Sequence, residues 1–124
     1  MMHRVILVPL LLLGLAGPAL AGSLIVTPAL SPPAGGSVSC LVANGSPTKE
    51  IEYTATIYEF NGDVAATSAS ASVLSPNNNL RTDSGALAQG HCVVEVTSGP
   101  KSSVRVSLQV KDAAGNILAA VSGQ

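Results

Sequence analysis

The sequence predicts an all-β fold, an antiparallel β-sandwich of about seven strands. Gly, Pro and Asn recur at short intervals, the runs between them alternate apolar and polar residues, and two cysteines lie within such runs. A period of two is typical of half-buried strands, and short strands separated by turn residues favour a sandwich. The predicted strands are 24–27, 37–43, 50–60, 64–74, 91–97, 103–111 and 117–121.

The first 21 residues are typical of a cleavable signal peptide. Arg4 supplies the charged start, residues 5–15 form the apolar centre, and residues 19–21 form an Ala-x-Ala cleavage site. The alternative is a membrane anchor, but a bilayer span needs about 20 apolar residues. The apolar run here is shorter and is broken by Pro9.

We therefore expect residues 1–21 to be removed and residues 22–124 to form one domain, periplasmic or secreted. The first cysteine, Cys40, stands too far from the apolar run to serve as a lipid anchor. No stable membrane insertion is expected after cleavage. Five basic and seven acidic residues then remain. Nucleic acids and anionic membranes attract basic faces, so neither is expected as the main partner.

The two cysteines, Cys40 and Cys92, are expected to form a disulfide. Exported compartments are oxidising, and both residues lie on the apolar side of an alternating run. The bridge would close a loop of about 50 residues and stabilise the fold by roughly 4 kcal/mol in the chain-entropy model. The alternative is a redox-active pair, which usually has the closer spacing Cys-x-x-Cys.

A tight turn at Asn61-Gly62 predicts a hairpin before strand 64–74. This strand alternates alanine and serine, whose small side chains bury little surface, so we expect it at a sheet edge. Such an edge could accept a strand from a partner, although an ordinary edge strand is the favoured interpretation. Residues 77–89 predict a loop with one short edge strand around Leu80.

A second hairpin is expected between the strand that contains Cys92 and the strand that follows it. Pairing Val96 with Val104 through their inward faces would place Glu95 opposite Arg105 on the solvent side. An opposed Glu–Arg pair is favourable cross-strand chemistry, which supports this register.

No catalytic or metal site is predicted. His91 is the sole histidine after the signal peptide and faces solvent opposite Gln109 in that register, so a surface histidine is favoured over a catalytic or metal role. A Gly-x-Ser-x-Gly motif is absent from the sequence. Glu50 and Glu52 do not pair with Glu59 across a cleft, as a glycosidase would require. We predict no catalytic residue, no metal ligand and no cofactor.

The candidate ligand face contains Tyr58 and Phe60, which share the outward side of strand 50–60. Tyr53 alternates to the opposite side and is expected in the core. Exposed aromatic rings on a sheet can bind sugars or a partner protein. They can also be covered by a neighbouring loop, which is the favoured interpretation here.

The layout resembles immunoglobulin-like and fibronectin type III-like sandwiches, in which a cysteine in an early strand is paired with one in a later strand. The chain lacks the core Trp of immunoglobulin domains, and Gly90 stands where they have a Tyr. A closer resemblance is to small uncharacterised exported bacterial proteins, carried by residues 40–44 with Ile51, by the Cys92 strand and by residues 101–108. The resemblance implies an immunoglobulin-like sandwich with one disulfide.

Three functions are considered, in order of preference. The first is an exported, non-enzymatic binding or structural module that contacts another exported protein through sheet faces and edges. The second is a carbohydrate- or surface-binding module that uses Tyr58 and Phe60 to hold a surface glycan. The third is an enzyme of unfamiliar type centred on His91 and Glu95. The oligomeric state is left open.

Overall fold

The computed structural model describes residues 23–68 and 72–124. The predicted signal peptide lies outside the described residues. Within them the regular structure is β-strand, apart from one short 3-10 helix at Lys101–Ser103, so the all-β prediction is confirmed. The nine strands are β1 (Ser23–Val26), β2 (Ser37–Asn44), β3 (Ile51–Glu59), β4 (Val64–Thr67), β5 (Ser72–Leu74), β6 (Asn79–Asp83), β7 (Gly90–Ser98), β8 (Val104–Lys111) and β9 (Ile117–Ser122).

The strands form two antiparallel sheets that pack against each other. Sheet A has the order β1-β7-β3-β4, with β5 also paired to β3, and sheet B has the order β6-β2-β8-β9. Alternate residues of each long strand face inward, as the period of two predicts. The buried core consists of Ile25, Val38, Cys40, Val42, Ile51, Tyr53, Ala55, Ile57, Leu74, Cys92, Val94, Val96, Val104, Val106, Leu108 and Val110.

The disulfide joins the two sheets through the middle of this core. Cys40 lies on β2 in sheet B, Cys92 lies on β7 in sheet A, and their Cα atoms are 6.0 Å apart. Both residues are fully buried. The predicted pairing is therefore confirmed, and it cross-links the sheets within the apolar core.

The predicted hairpin between β7 and β8 is wrong. β7 pairs with β1 and β3 in sheet A, whereas β8 pairs with β2 and β9 in sheet B. Glu95 is opposite Leu24 and Thr54, and Arg105 is opposite Ala43, so the two charges do not meet. The chain crosses from one sheet to the other between Gly99 and the 3-10 helix.

The β7–β8 prediction is wrong because the alternation of apolar and polar residues specifies the buried face of a strand and not its neighbours. An inward row of valines fixes which face of a strand is buried, but the row packs equally well in either sheet of a sandwich. Val94, Val96, Val104, Val106 and Leu108 are all buried, as predicted, yet they come from opposite sides of the core. The inward faces were thus correct while the strand neighbours were not.

The two predicted edge regions do lie at sheet edges. The stretch 64–74 forms two short strands, of which β4 pairs with the end of β3 around Ile57 and β5 pairs with its beginning around Glu52. Residues 69–71 between them lie outside the described residues. The short strand expected around Leu80 is β6, at the edge of sheet B beside β2. These divisions raise the strand count above the expected seven.

The hairpin at Asn61-Gly62 joins β3 to β4 as predicted. The Gly62 amide donates to the carbonyl of Glu59 (3.0 Å), and the Glu59 amide donates to the carbonyl of Asp63 (2.8 Å). Gly62 has φ of 88°, a conformation that glycine adopts without a steric penalty. This turn ends β3 and directs the chain back along its edge.

A buried asparagine organises the opposite end of the sandwich. The side-chain amide nitrogen of Asn44 donates to the carbonyls of Lys49 (2.8 Å), Leu74 (3.1 Å) and Ser75 (3.3 Å). Its side-chain oxygen accepts from the Ser46 amide (3.0 Å). The bonds tie the loop after β2 to the end of β5, so one side chain satisfies several backbone groups that would otherwise lack partners.

Candidate functional site

The outer face of sheet A is the candidate site. Strand register aligns its outward residues in rows across the sheet, with His91 of β7 opposite Tyr58 of β3 and Tyr58 opposite Val64 of β4. Residues that are directly opposite in antiparallel strands have Cβ atoms about 5 Å apart, so their side chains touch. The next row across the sheet consists of Val26, Val93, Thr56 and Thr67.

Tyr58 and His91 stack at the centre of the first row. Their ring centroids are 5.5 Å apart and the ring planes make an angle of 22°. Both side chains are half-buried. The prediction that His91 faces outward is confirmed, although its cross-strand neighbour is Tyr58 and not Gln109. The stack covers one face of each ring and holds both in position.

Exposed apolar side chains lie on the same face of sheet A: Val64 beside the stack, Val26 in the next row and Leu24 in the row of Glu95. Val64 is 58% exposed, Val26 is 43% exposed and Leu24 is 54% exposed. Phe60 follows the end of β3 and is 72% exposed, so the expectation that a neighbouring loop covers both aromatics does not hold for this ring. No described element lies over these residues, which makes the surface available for contact.

The charges of sheet A are of one sign. Its strands contain Glu52, Glu59 and Glu95 but no lysine or arginine. Glu95 and Glu52 lie on the outer face at the end away from the Tyr58–His91 stack, in the rows of Thr54 and Val73. The outer face therefore has an uncharged half around the stack and a second half in which Glu95 and Glu52 lie opposite the exposed Leu24 and Val73.

The residues of the hypothetical enzyme do not converge. His91 and Glu95 are four residues apart on the same strand, which separates them by about 13 Å at 3.4 Å per residue. Within the described residues, no three His, Cys, Asp or Glu side chains come close enough together to hold a metal ion. The described part of the chain also contains no helix long and apolar enough to cross a membrane.

Among the described residues, Tyr53, Asp83 and Asp112 have shifted pKa values, and none of the three belongs to the outer face of sheet A. Burial raises the pKa of Tyr53, whose hydroxyl lies in the core with no hydrogen-bond partner in the structure. Burial also acts to raise the pKa of Asp83. The hydrogen bond from Ser39 and the charges of Lys111 (3.5 Å) and Arg81 (3.1 Å) outweigh it, so this pKa lies below its usual value.

A cleft lies elsewhere on the molecule. It has a volume of about 570 Å³ and opens between the 3-10 helix and the C-terminal residues. Its floor is formed by Ile25 and Val104, and Lys101 and Arg105 stand at its rim. The Arg105 side chain bonds to the backbone carbonyl of Ser102 (2.7 Å), which draws it toward the 3-10 helix. The cleft contains none of the predicted site residues.

The comparisons with known proteins do not assign a family. No family model matches the chain, and neither a curated protein nor a solved structure is significantly similar to it. The functional argument therefore depends on the surface of this molecule alone.

Sequence reasoning found part of the candidate site. It placed Tyr58 and Phe60 on the outward side of their strand, but it did not identify Val64 or Val93 as their neighbours. Alternation marks each of these residues as outward-facing. The Asn61-Gly62 turn predicts that β4 flanks β3, but the local pattern does not reveal that β7 flanks its other side, because that order depends on contacts between residues distant in the chain.

Proposed function

We propose that this protein is an exported, non-enzymatic binding module and that the outer face of sheet A docks another exported protein. The observation that carries the proposal is the pair of adjoining rows centred on Tyr58 and Val93, which leave apolar side chains in contact with solvent across four strands. Soluble proteins rarely expose contiguous apolar surface without a use for it, because its burial is favourable.

The charge pattern specifies the kind of partner. The rows of Tyr58 and Val93 contain no Asp, Glu, Lys or Arg, although Asp63 directly precedes Val64, and Glu52 and Glu95 flank these rows at one end. A partner with an apolar patch bordered by lysine or arginine would match both halves. Such complementarity mainly increases the association rate and the specificity, and the apolar contact supplies most of the affinity.

Export and the immunoglobulin-like class belong to the same proposal. A disulfide in the core is typical of proteins that fold in an oxidising compartment, which supports a periplasmic or secreted location. The bridge links the two sheets, as it does in immunoglobulin domains. The strand after the second cysteine, β8, lies in the opposite sheet, so the proposed relationship is one of architecture and not of strand order.

A glycan is the second candidate ligand, and one observation favours it. Phe60 has a ring that is largely free on the β3–β4 turn, where a sugar could stack on it. Tyr58 is less suited to this role because His91 already occupies one face of its ring. A protein partner remains the preferred proposal, because it would contact both adjoining rows and not a single ring.

Site-specific photo-cross-linking in the exporting host tests the proposal. A photoreactive side chain would replace Val64 on the outer face of sheet A, or Leu80 on β6 as a control of similar exposure in sheet B. We expect one reproducible protein adduct from position 64 and none from position 80. Glu95→Gln should reduce the yield and lessen its dependence on salt, because it removes one of the flanking charges.

The outcomes distinguish the candidates. Equal adducts from both positions, or an adduct only from position 80, would overturn the docking face. If no protein adduct forms and Phe60→Ala abolishes retention on a glycan array while Leu80→Ala does not, the glycan replaces the protein as the ligand. Turnover of a hydrolysable substrate that His91→Ala abolishes would contradict the non-enzymatic assignment.

A further inference from the structure

The four outer edges of the two sheets differ in how they are protected. β1 is four residues long, and its Val26 exchanges two backbone hydrogen bonds with Gln124 (3.0 and 3.1 Å). β4 is also four residues long and pairs across a bulge at Tyr58. β6 carries the Arg81–Asp83 ion pair. Short strands, bulges, charges and covering segments are the usual means by which proteins prevent pairing at an edge.

β9 itself has little of this protection, although Gln124, two residues after the strand, bonds to Val26 of β1 and so closes the same edge at its C-terminal end. The strand is six residues long and contains no charged residue and no proline. Its one irregularity in register lies at Lys111, at the beginning of the pairing with β8, and the register is regular from Ala119 to Ser122. Ile117 and Leu118 are each 55% exposed, and Ala119 and Ala120 are exposed as well. The strand is thus apolar, and its side chains are exposed except for Val121, which is half-buried against the core.

The backbone of β9 directs hydrogen-bonding groups toward solvent. The amide of Gly123 donates to the carbonyl of Val106 on β8 (2.8 Å), so the odd-numbered residues of this segment point toward β8. Backbone groups alternate in direction along an antiparallel strand. The N–H and C=O groups of Ala120 and Ser122 therefore point away from β8, toward the side where sheet B ends.

We propose that a second copy of this chain pairs with β9 in an antiparallel manner, so that the two copies of sheet B form one continuous eight-stranded sheet. Free N–H and C=O groups at a strand edge are matched by another strand. A neutral strand can lie opposite itself without like-charge repulsion, which β6 with Arg81 and Asp83 cannot do as readily. Identical strands paired antiparallel satisfy two-fold symmetry, the commonest symmetry of homo-oligomers.

The symmetry has a consequence that rests on the proposed function. Two antiparallel strands of one sheet are related by an axis perpendicular to that sheet. Both copies of sheet A then lie on the same side of the joined sheet B, and their outer faces point in the same direction. The pair would present two docking faces to one surface, which increases the apparent affinity without any new contact.

The test measures self-association of the full exported, disulfide-bonded chain. Sedimentation equilibrium would be measured at protein concentrations up to about 1 mM, where even a dimer with a weak Kd of about 1 mM is partly formed. The average mass should rise from that of the monomer toward twice that value. Ala120→Lys places a charge on the open edge without removing a hydrogen bond to β8, and it should weaken the dimer at least tenfold. Ala114→Lys adds the same charge in the exposed turn before β9, so it should leave the dimer unchanged.

Amide hydrogen exchange of the unaltered chain tests the edge directly. We expect the amides of Ala120 and Ser122 to exchange more slowly as the protein concentration rises, with no such change at Asn79 of β6. The proposal is overturned by a monomer at every concentration, by a dimer that Ala120→Lys does not affect, or by exchange at Ala120 and Ser122 that is independent of concentration. Each measurement reports the pairing whether or not the outer face of sheet A binds a partner.

Discussion

The side-chain amide of Asn44 lies 3.1 Å from the carbonyl oxygen of Leu74 and donates a buried hydrogen bond to it. Asn44 ends β2 in sheet B, and Leu74 ends β5 in sheet A, so the bond joins the two sheets at one end of the sandwich. The same side chain also holds the loop that follows β2. A single polar residue thus fixes where several chain segments meet.

Replacing Asn44 should destabilise the fold strongly. Asn44→Ala would remove the side-chain donor to the buried carbonyl of Leu74 and the acceptor for the amide of Ser46, and each such loss costs about 1–3 kcal/mol. We expect the free energy of unfolding, measured with urea, to fall by about 2–4 kcal/mol. Asn61→Ala is the matched control, because Asn61 bonds only within its exposed turn. Equal losses for the two variants would contradict this role of Asn44.

The importance of Asn44 is not visible in the sequence. Asn-Gly-Ser-Pro at residues 44–47 is an ordinary turn signal, and turn asparagines are usually exposed. The buried role arises because the end of β5 and the 3-10 helix approach this turn from distant parts of the chain. A local pattern can predict that the strand ends there, but not which carbonyls will need a donor.

Removing the hydroxyl of Tyr53 should, unlike the replacement of Asn44, not lower the free energy of unfolding. Tyr53 is fully buried, its hydroxyl has no hydrogen-bond partner among the described residues, and burial raises its pKa. Tyr53→Phe removes an unsatisfied polar group and keeps the ring, so we expect unchanged stability or a gain of up to about 1 kcal/mol. Tyr53→Ala should instead cost about 3–5 kcal/mol, since it leaves a cavity.

Thermal unfolding of the two Tyr53 variants checks this pair. A loss of more than about 1 kcal/mol for Tyr53→Phe would mean that the hydroxyl has a partner in solution, such as a buried water. Sequence alone placed Tyr53 in the core, because it alternates with Ile51 and Ile57. The unpaired hydroxyl depends on the side chains that sheet B presents, which alternation within one strand does not specify.

Asp83 should make the free energy of unfolding depend on pH in the acid range. Its pKa is lowered in the folded protein, so it stabilises the fold above the unfolded pKa of about 3.9. This stabilisation is lost as the pH falls through the lower, folded value. The side chain is half exposed, so screening by solvent limits the effect to at most about 1 kcal/mol.

Urea unfolding between neutral and acid pH measures this contribution. Asp83→Asn should reduce the loss of stability in acid, whereas Glu95→Gln controls for removing one negative charge. Some loss should remain in Asp83→Asn, because the hydrogen bond from the Asn116 side chain also lowers the pKa of Asp112. An Asp83→Asn profile that follows the unaltered protein at every pH would contradict the assignment.

Inward faces and the β3–β4 hairpin were predictable from the sequence, whereas the neighbours of β7 and β8 were not. The valines of β7 and β8 show the difference, because both rows are buried as expected while the strands belong to opposite sheets. The candidate site follows the same division. Tyr58 was identified as outward-facing. The two adjoining rows that contain Val64 and Val93 exist only because β4 and β7 flank β3.

Gly99 in the crossover between the sheets and Gly62 in the β3–β4 turn have similar φ angles but different surroundings. Gly99 begins the crossover from β7 with φ of 90°, and Gly62 lies in the β3–β4 hairpin with φ of 88°. A Cβ on Gly99 would lie 2.5 Å from the carbonyl oxygen of Glu50 and 3.0 Å from the Cα of Ile51, whereas a Cβ on Gly62 would meet no atom within 4 Å. Both substitutions strain the backbone, but only the one at Gly99 also collides with neighbouring main chain.

We therefore expect Gly62→Ala to cost about 1 kcal/mol, the strain of a left-handed non-glycine residue. Gly99→Ala should cost about 2–4 kcal/mol, because the main-chain atoms it meets cannot move away as the end of a side chain can. Urea unfolding of the two variants gives the comparison directly. If β7 and β8 instead formed a hairpin, Gly99 would be an exposed turn glycine and the two losses would be equal. A larger loss at Gly99 follows from a chain that passes against the start of β3 as it leaves sheet A for sheet B.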